Sequence, residues 1–199
     1  MAAVRLGASQ GGGAAALVVE AVLLPFLAVR GEWLPWSRKL GSALLLPLLA
    51  GFAATLGEAS PRGALAAQAT LAAFAVAVSG TRALLLHLRL PGDGARLLAA
   101  ALGLLLVATP YWGNFLVEAP EGSGARDRVL LVLLGGNPLM AVFGPDGLAL
   151  DWLRTDGLYR RFVVGGFYPF RYPGAPELIL RLILAGLVAG LLAVRRPGR

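Results

Sequence analysis

The chain has 199 residues, 57% of them hydrophobic and 15% charged, and it carries a formal net charge of +7. Soluble domains are about 45–50% apolar and about 25% charged, so the shortage of charge argues against a wholly water-exposed surface. The sequence has no cysteine and a single histidine, His87. This excludes disulfides, thiol nucleophiles, and metal sites built from cysteines or several histidines.

Five apolar runs predict membrane-spanning helices, since about 20 apolar residues cross a bilayer. They are residues 14–29, 40–57, 64–80, 95–117 and 175–194. The Gly-rich start, residues 1–13, is expected to be disordered. The first run is short enough for a signal peptide, but a lone preceding basic residue, Arg5, and a poor cleavage site favour a retained span.

A sixth apolar run, residues 129–143, is ambiguous. Fifteen helical residues reach only about 22 Å, against about 30 Å of hydrocarbon. The run also contains Gly135, Gly136, Asn137 and Pro138 in succession. Proline has no N–H to donate and biases the residue before it away from helix. A re-entrant or half-inserted segment is therefore predicted, with a kinked sixth span as the alternative.

Charge suggests an orientation for this bundle. With five spans, nine basic residues fall on the side of the C-terminal tail and eight on the other, so the positive-inside rule alone decides little. The excess of basic residues in the short loops and in the tail, residues 195–199, falls on the cytoplasmic side only when the N-terminus is outside and the C-terminus is cytoplasmic. Residues 118–174 are then extracytoplasmic, and the location predicted is a bacterial cytoplasmic membrane.

The fold class predicted is therefore all-α: one polytopic membrane domain over residues 1–199, with five spans and a re-entrant segment, or alternatively six spans. Residues 146–164 predict an interfacial helix, with Trp152 and Tyr159 on one face and Arg154 on the other. The expected partner is the lipid bilayer and not nucleic acid, because the arginines lie between apolar runs.

Glu20 and Arg181 are the two ionisable residues well inside predicted spans. Such residues are costly in a membrane and are functional candidates by default. Both enter about six residues deep from the outer face, so they are predicted to pair across the bundle. The alternative joins Arg181 to Glu177, four residues earlier on the same helix, and leaves Glu20 protonated or facing a wet seam.

Two further patterns concern partners. Arg82, Arg89 and Arg96 are spaced by seven residues; they suit topology and lipid contacts, or a cytoplasmic docking surface for another protein. Gly186 and Gly190 form a Gly-x-x-x-Gly motif, which allows close helix approach. Packing within the chain explains that motif better than dimerisation.

The C-terminal part resembles the end of ABC exporter permeases of the polysaccharide and drug export type. The matching features are Asn137-Pro138-Leu139, then Asp151-Trp152-Leu153-Arg154, then a final span over 175–194 and the basic Arg195-Arg196. The resemblance implies a permease half that forms a homodimer and pairs with a separate ATPase, docked at Arg82–Arg96. Such permeases usually have six spans and an amphipathic N-terminal helix, whereas this chain offers five clear spans and a Gly-rich start.

A transport component is the function that these patterns favour. The sequence has no Walker A loop, no Rossmann fingerprint and no His-Glu-x-x-His motif, so neither catalysis nor a cofactor is expected. Energy must then come from another chain or an ion gradient. The alternatives are an accessory or assembly protein, and a membrane enzyme that acts on lipid-linked substrates through the carboxylates and arginines of residues 146–171.

Overall fold

The computed structural model describes residues 12–30, 38–56, 59–112, 128–129, 134–148 and 173–194. Over these residues the secondary structure is helical, which confirms the all-α prediction. The helices are α1 (Gly12–Ala28), α2 (Arg38–Thr55), α3 (Pro61–His87), α4 (Gly92–Val107), α5 (Pro138–Phe143) and α6 (Ala175–Val194), and a helical turn at Thr109–Trp112 follows α4.

Helices α3 and α6 are each long and apolar enough to cross a membrane. Their 27 and 20 residues reach about 40 Å and 30 Å at ~1.5 Å per residue, against about 30 Å of hydrocarbon. Helix α1 and the part of α2 from Leu44 to Thr55 are apolar but shorter. Each predicted span coincides at least in part with a helix, but the count of five spans stays a prediction. Gly12 and Gly13, expected to be disordered, already belong to α1.

Helix α3 lies at the centre and contacts α1, α2, α4, α5 and α6. It begins at a serine cap, where the Ser60 hydroxyl accepts a hydrogen bond from the Gly63 N–H at 3.0 Å, with Pro61 in the first turn. These residues suit a helix start because the cap satisfies a free N–H and proline has none to satisfy. Its inner face buries Leu71, Phe74 and many alanines.

The α3–α6 interface is made by glycines. A Cβ built on Gly80 would lie 2.3 Å from the Gly186 carbonyl oxygen, and one on Gly186 would lie 2.7 Å from the Val76 carbonyl oxygen. The two backbones therefore touch, as small residues allow in membrane helices. Gly190 is buried on α6 as well. Gly186, the first glycine of the Gly-x-x-x-Gly motif, thus packs against α3 of its own chain.

Apolar side chains cover the outside of the described bundle. Leu46 is 76% exposed and Leu97 is 71% exposed, and further exposed leucines and valines lie along α1, α2, α4 and α6. The interior holds mostly small apolar residues, together with the polar Glu20 and Gln68. A soluble monomer rarely exposes apolar patches of more than a few hundred Å². This distribution is the one expected of helices that face lipid.

Candidate functional site

The described core contains one buried pair of polar side chains that joins two helices. Glu20 of α1 and Gln68 of α3 are each 6% exposed, and Gln68 Nε2 donates a hydrogen bond to Glu20 Oε2 at 3.1 Å. Leu17, Ala21 and Leu24 of α1 are buried around the same helix face. A carboxyl group in such surroundings is held by its hydrogen bonds, because water cannot solvate it.

Gly51 of α2 covers this pair. A Cβ built on Gly51 would lie 2.0 Å from Glu20 Oε2 and 2.5 Å from Gln68 Nε2. Only a residue without a side chain allows α2 to approach the carboxyl and amide groups this closely. Thr55, one turn later, donates its hydroxyl to the Gly51 carbonyl at 3.0 Å, so this carbonyl has an additional partner.

The pair is incompletely hydrogen-bonded. Glu20 Oε1 and Gln68 Oε1 are both buried and both lack a hydrogen-bond partner. Most buried polar atoms in native proteins have a partner, so two adjacent exceptions require an explanation. Both unpartnered atoms are hydrogen-bond acceptors. A hydrogen bond between them therefore requires that one of them carries a proton.

The predicted pair of Glu20 with Arg181 is not formed. Glu20 has Gln68 as its partner, while Arg181 Nη2 donates to Glu177 Oε1 on the same helix. The physical reason is that Glu177 and Arg181 lie four residues apart on α6, with side chains that are 62% and 59% exposed. Arg181 does lie near the broken segment, since a Cβ on Gly135 would be 3.9 Å from its Nη1.

The helical backbone is interrupted at Gly136 and Asn137. The backbone turns at Gly136, and α5 then runs for six residues, all of them buried. Asn137 holds this junction in two ways. Its Oδ1 accepts from the Leu139 N–H at 2.8 Å, which caps α5. Its Nδ2 donates to the Leu106 and Val107 carbonyls at 2.9 and 3.1 Å, which caps the end of α4.

Pro138 is the first residue of α5, where its missing N–H is harmless. After α5 the chain turns back through Gly147, where an added Cβ would lie 2.0 Å from the Val142 carbonyl oxygen, so only glycine fits. Asp146 Oδ2 accepts from the Ala175 N–H at 3.2 Å, so this turn also caps α6. The short buried helix is thereby fixed at both ends.

A cavity of about 330 Å³ lies at this end of the bundle. It is bounded by the starts of α3 and α6 and by the turn after α5, and its polar lining residues are Ser60, Arg62 and Asp146. The Ser60 hydroxyl and one Asp146 oxygen already accept backbone N–H groups. Fewer of the polar groups that line the cavity are therefore free to bind a ligand than the lining residues alone suggest.

The three spaced arginines lie at the corner between α3 and α4. Arg82 is half-buried near the end of α3, Arg89 follows that helix, and Arg96 lies in the second turn of α4. Arg96 contacts Asp93 at 3.4 Å, and its charge repels that of Arg82. One continuous helical stripe is not formed, because the chain turns at Leu88–Leu90 between the two helices.

Arg89 has a φ of 67°, in the left-handed region. Its N–H bonds to the Leu86 carbonyl at 3.0 Å and the Leu90 N–H to the Leu85 carbonyl at 3.1 Å. These two bonds are the Schellman pattern, in which glycine usually occupies the left-handed position. An arginine there is strained by about 1 kcal/mol relative to glycine.

Other predicted features lie outside the described residues. These include the interfacial helix with Trp152, Arg154 and Tyr159, and the basic tail over 195–199. Within the part of the chain that the structure describes, no three acidic, cysteine or histidine side chains come together as metal ligands. Comparison with protein families, curated proteins and solved structures gives no match.

Sequence reasoning identified Glu20 but missed its partners. Gln68 was visible as a polar residue inside an apolar run, and that was a usable signal. Gly51 gave no signal, because it is one of 27 glycines and nothing in its neighbourhood sets it apart.

Proposed function

We propose that this chain is an integral membrane protein that acts as a permease-like subunit of a transport system with a separate ATPase chain. Membrane location is supported by two helices of spanning length and by the leucine-rich outer faces. The observation that carries the transport role is the broken segment before α5. Backbone breaks at membrane depth are tolerated where they are buried in protein or line a pathway, and transporter sites commonly use them.

The corner with Arg82, Arg89 and Arg96 is the proposed docking surface for the ATPase chain. Arg89 is the informative residue, because it is held in a backbone conformation that glycine adopts more easily. Replacing it by glycine relieves strain and removes a charge. A loss of docking in Arg89→Gly therefore cannot be attributed to unfolding.

The experiment is affinity purification of the full-length chain from its native membranes in a mild detergent. We expect an ATPase subunit to co-purify with the wild-type chain and to be depleted at least fivefold in Arg89→Gly. Arg62→Gln is the matched control, since Arg62 is an exposed arginine at the opposite end of α3. Recovery of the wild-type chain without any ATPase would contradict the proposal.

One observation favours an accessory or assembly role as the second candidate. All six residues of α5 are buried, so the described core is filled at the position where a transport pathway is expected. Stable recovery of the chain in a larger complex that lacks an ATPase would support this alternative. Equal recovery of that complex in Arg89→Gly and wild type would support it further.

A further inference from the structure

We infer that Glu20 and Gln68 form a proton-binding site, in which Glu20 carries a proton on Oε1 and donates it to Gln68 Oε1. This assignment is independent of the ATPase partnership proposed above. It depends on the two side chains and on the α1–α2–α3 packing that encloses them.

The hydrogen-bond donors and acceptors of the two side chains lead to this assignment. An ionised carboxylate only accepts, through two oxygens, whereas the glutamine amide has one accepting oxygen and two N–H donors. One donor is used, from Gln68 Nε2 to Glu20 Oε2. The two remaining oxygens are both buried and both without a partner. A single added proton converts these two orphaned acceptors into one donor and one acceptor.

The resulting arrangement is a reciprocal acid–amide pair. The amide N–H bonds to one carboxyl oxygen, and the carboxyl O–H bonds to the amide oxygen, so each oxygen and nitrogen atom of the two groups has a partner within one ring of hydrogen bonds. The proton is bound from water and is released to water, and no covalent bond to a heavier atom changes. A proton is the only ligand required, because two oxygen atoms are too few for Na⁺-like or Ca²⁺-like coordination by the protein.

No ion pair among the described residues includes Glu20. Helix α5 has no ionisable residue. The charged residues of α4 are Asp93 and Arg96, which contact each other near the start of that helix. On α2 the charged residues are the first two of the helix, about 18–20 Å from Gly51 along the axis. On α3 the nearest charge is the exposed Arg62, about 9 Å from Gln68 along the axis, and Arg82 and His87 are about 20 Å or more away.

Release of the proton therefore requires movement. Gly51 lies against the carboxyl and the amide and leaves no room for water between them and α2. An ionised Glu20 in that position is a buried, unpaired charge, which is strongly unfavourable. Deprotonation is thus coupled to separation of α2 from the α1–α3 pair, and protonation to its closure.

Infrared spectroscopy of the purified full-length chain in a detergent without carbonyl groups tests the site directly. A protonated carboxylic acid has a carbonyl band that carboxylates lack, and the band shifts in D₂O. We expect this band in the wild-type chain at neutral pH, its loss in Glu20→Gln, and its retention in Glu177→Gln, a control at an exposed glutamate. Absence of the band in the wild type, or its persistence in Glu20→Gln, would overturn the inference.

Gln68→Leu provides a second test that does not depend on the Glu20 variant. Leucine has a similar size but cannot accept the O–H, so the acid band of Glu20 should move to the position of a carboxyl without that hydrogen bond. An unmoved band would show that Gln68 is not the partner of the proton. Neither infrared measurement needs an ATPase or a substrate. A negative result for the proton-binding site is therefore distinguishable from a failure of the transport proposal.

Discussion

The two sides of helix α3 are packed in different ways. Towards α6, α3 presents Gly80, whose backbone contacts the backbone of Gly186. Towards α1 and α2, it presents Gln68, and a carboxyl, an amide and Gly51 meet in a buried polar contact. Glycine permits close approach in both interfaces, but only the second encloses a group that can change its charge.

The two interfaces therefore differ in role: one holds helices together, and the other contains a group that can gain or lose a proton. The α3–α6 contact at Gly80 and Gly186 is van der Waals packing of backbone atoms and gains nothing from a change in protonation. The α1–α2–α3 contact leaves two buried oxygens without partners, which is unfavourable unless a proton or a movement relieves it. The first interface is the fixed side of the bundle, and the second is the side where we expect a functional change.

The largest expected effect is at the fixed interface. Gly80→Ala places a Cβ 2.3 Å from a backbone oxygen of α6, and neither helix can yield by rotating a side chain. We expect a loss of about 3 kcal/mol in the free energy of unfolding, the upper end for overpacking, measured by denaturant unfolding in detergent. Gly92→Ala, where a Cβ meets nothing within 4 Å, is the control and should change stability by less than about 0.5 kcal/mol.

A smaller effect is expected at the polar interface. In Gly51→Ala the Cβ clashes with side-chain atoms, which can move away at the expense of the Glu20–Gln68 hydrogen bond. We expect a destabilisation of about 2 kcal/mol. Truncation of Glu20 to alanine should rescue about 1 kcal/mol of it in a double-mutant cycle. Purely additive effects would mean that Gly51 and Glu20 do not contact each other.

Asn137 has two separable roles, and two variants distinguish them. Asn137→Asp keeps the oxygen that caps α5 but loses the donor to the Leu106 and Val107 carbonyls. Asn137→Ala loses both. We expect Asn137→Ala to cost about 2 kcal/mol, since it removes a helix cap and buried hydrogen bonds. If Asn137→Asp were as stable as wild type, the tie to α4 would be unimportant.

The smallest effect is expected at the exposed pair on α6. Glu177 and Arg181 are more than half exposed and lie one helical turn apart, and such pairs contribute about 0.3–0.5 kcal/mol. Arg181→Gln should therefore change stability by less than about 0.5 kcal/mol in the same unfolding assay. A loss of about 2 kcal/mol or more, as for a broken buried interaction, would revive the buried role that the sequence suggested for Arg181.

Much of the helical framework could be predicted from the sequence. Long apolar runs predicted the helix positions, and proline after two glycines predicted the break at Gly136 and Asn137, because these residues act through local backbone conformation. The partner of Glu20 could not be predicted in this way. Gln68 lies 48 residues away on another helix, and which side chain meets Glu20 depends on the rotation and depth of both helices.

The most direct test of the central claim concerns the leucines on the outside of the bundle. The native sequence has no cysteine, so single substitutions Leu46→Cys, Leu102→Cys and Leu184→Cys report without background. Their positions are 76%, 45% and 50% exposed, and Asp93→Cys, at a side chain that is 91% exposed, is the control. A membrane-embedded bundle predicts that a water-soluble maleimide, applied to membranes opened to expose both faces, labels position 93 and leaves the three others unlabelled until the membrane is dissolved in denaturant. Equal labelling at all four positions would contradict the claim that lipid covers these helices.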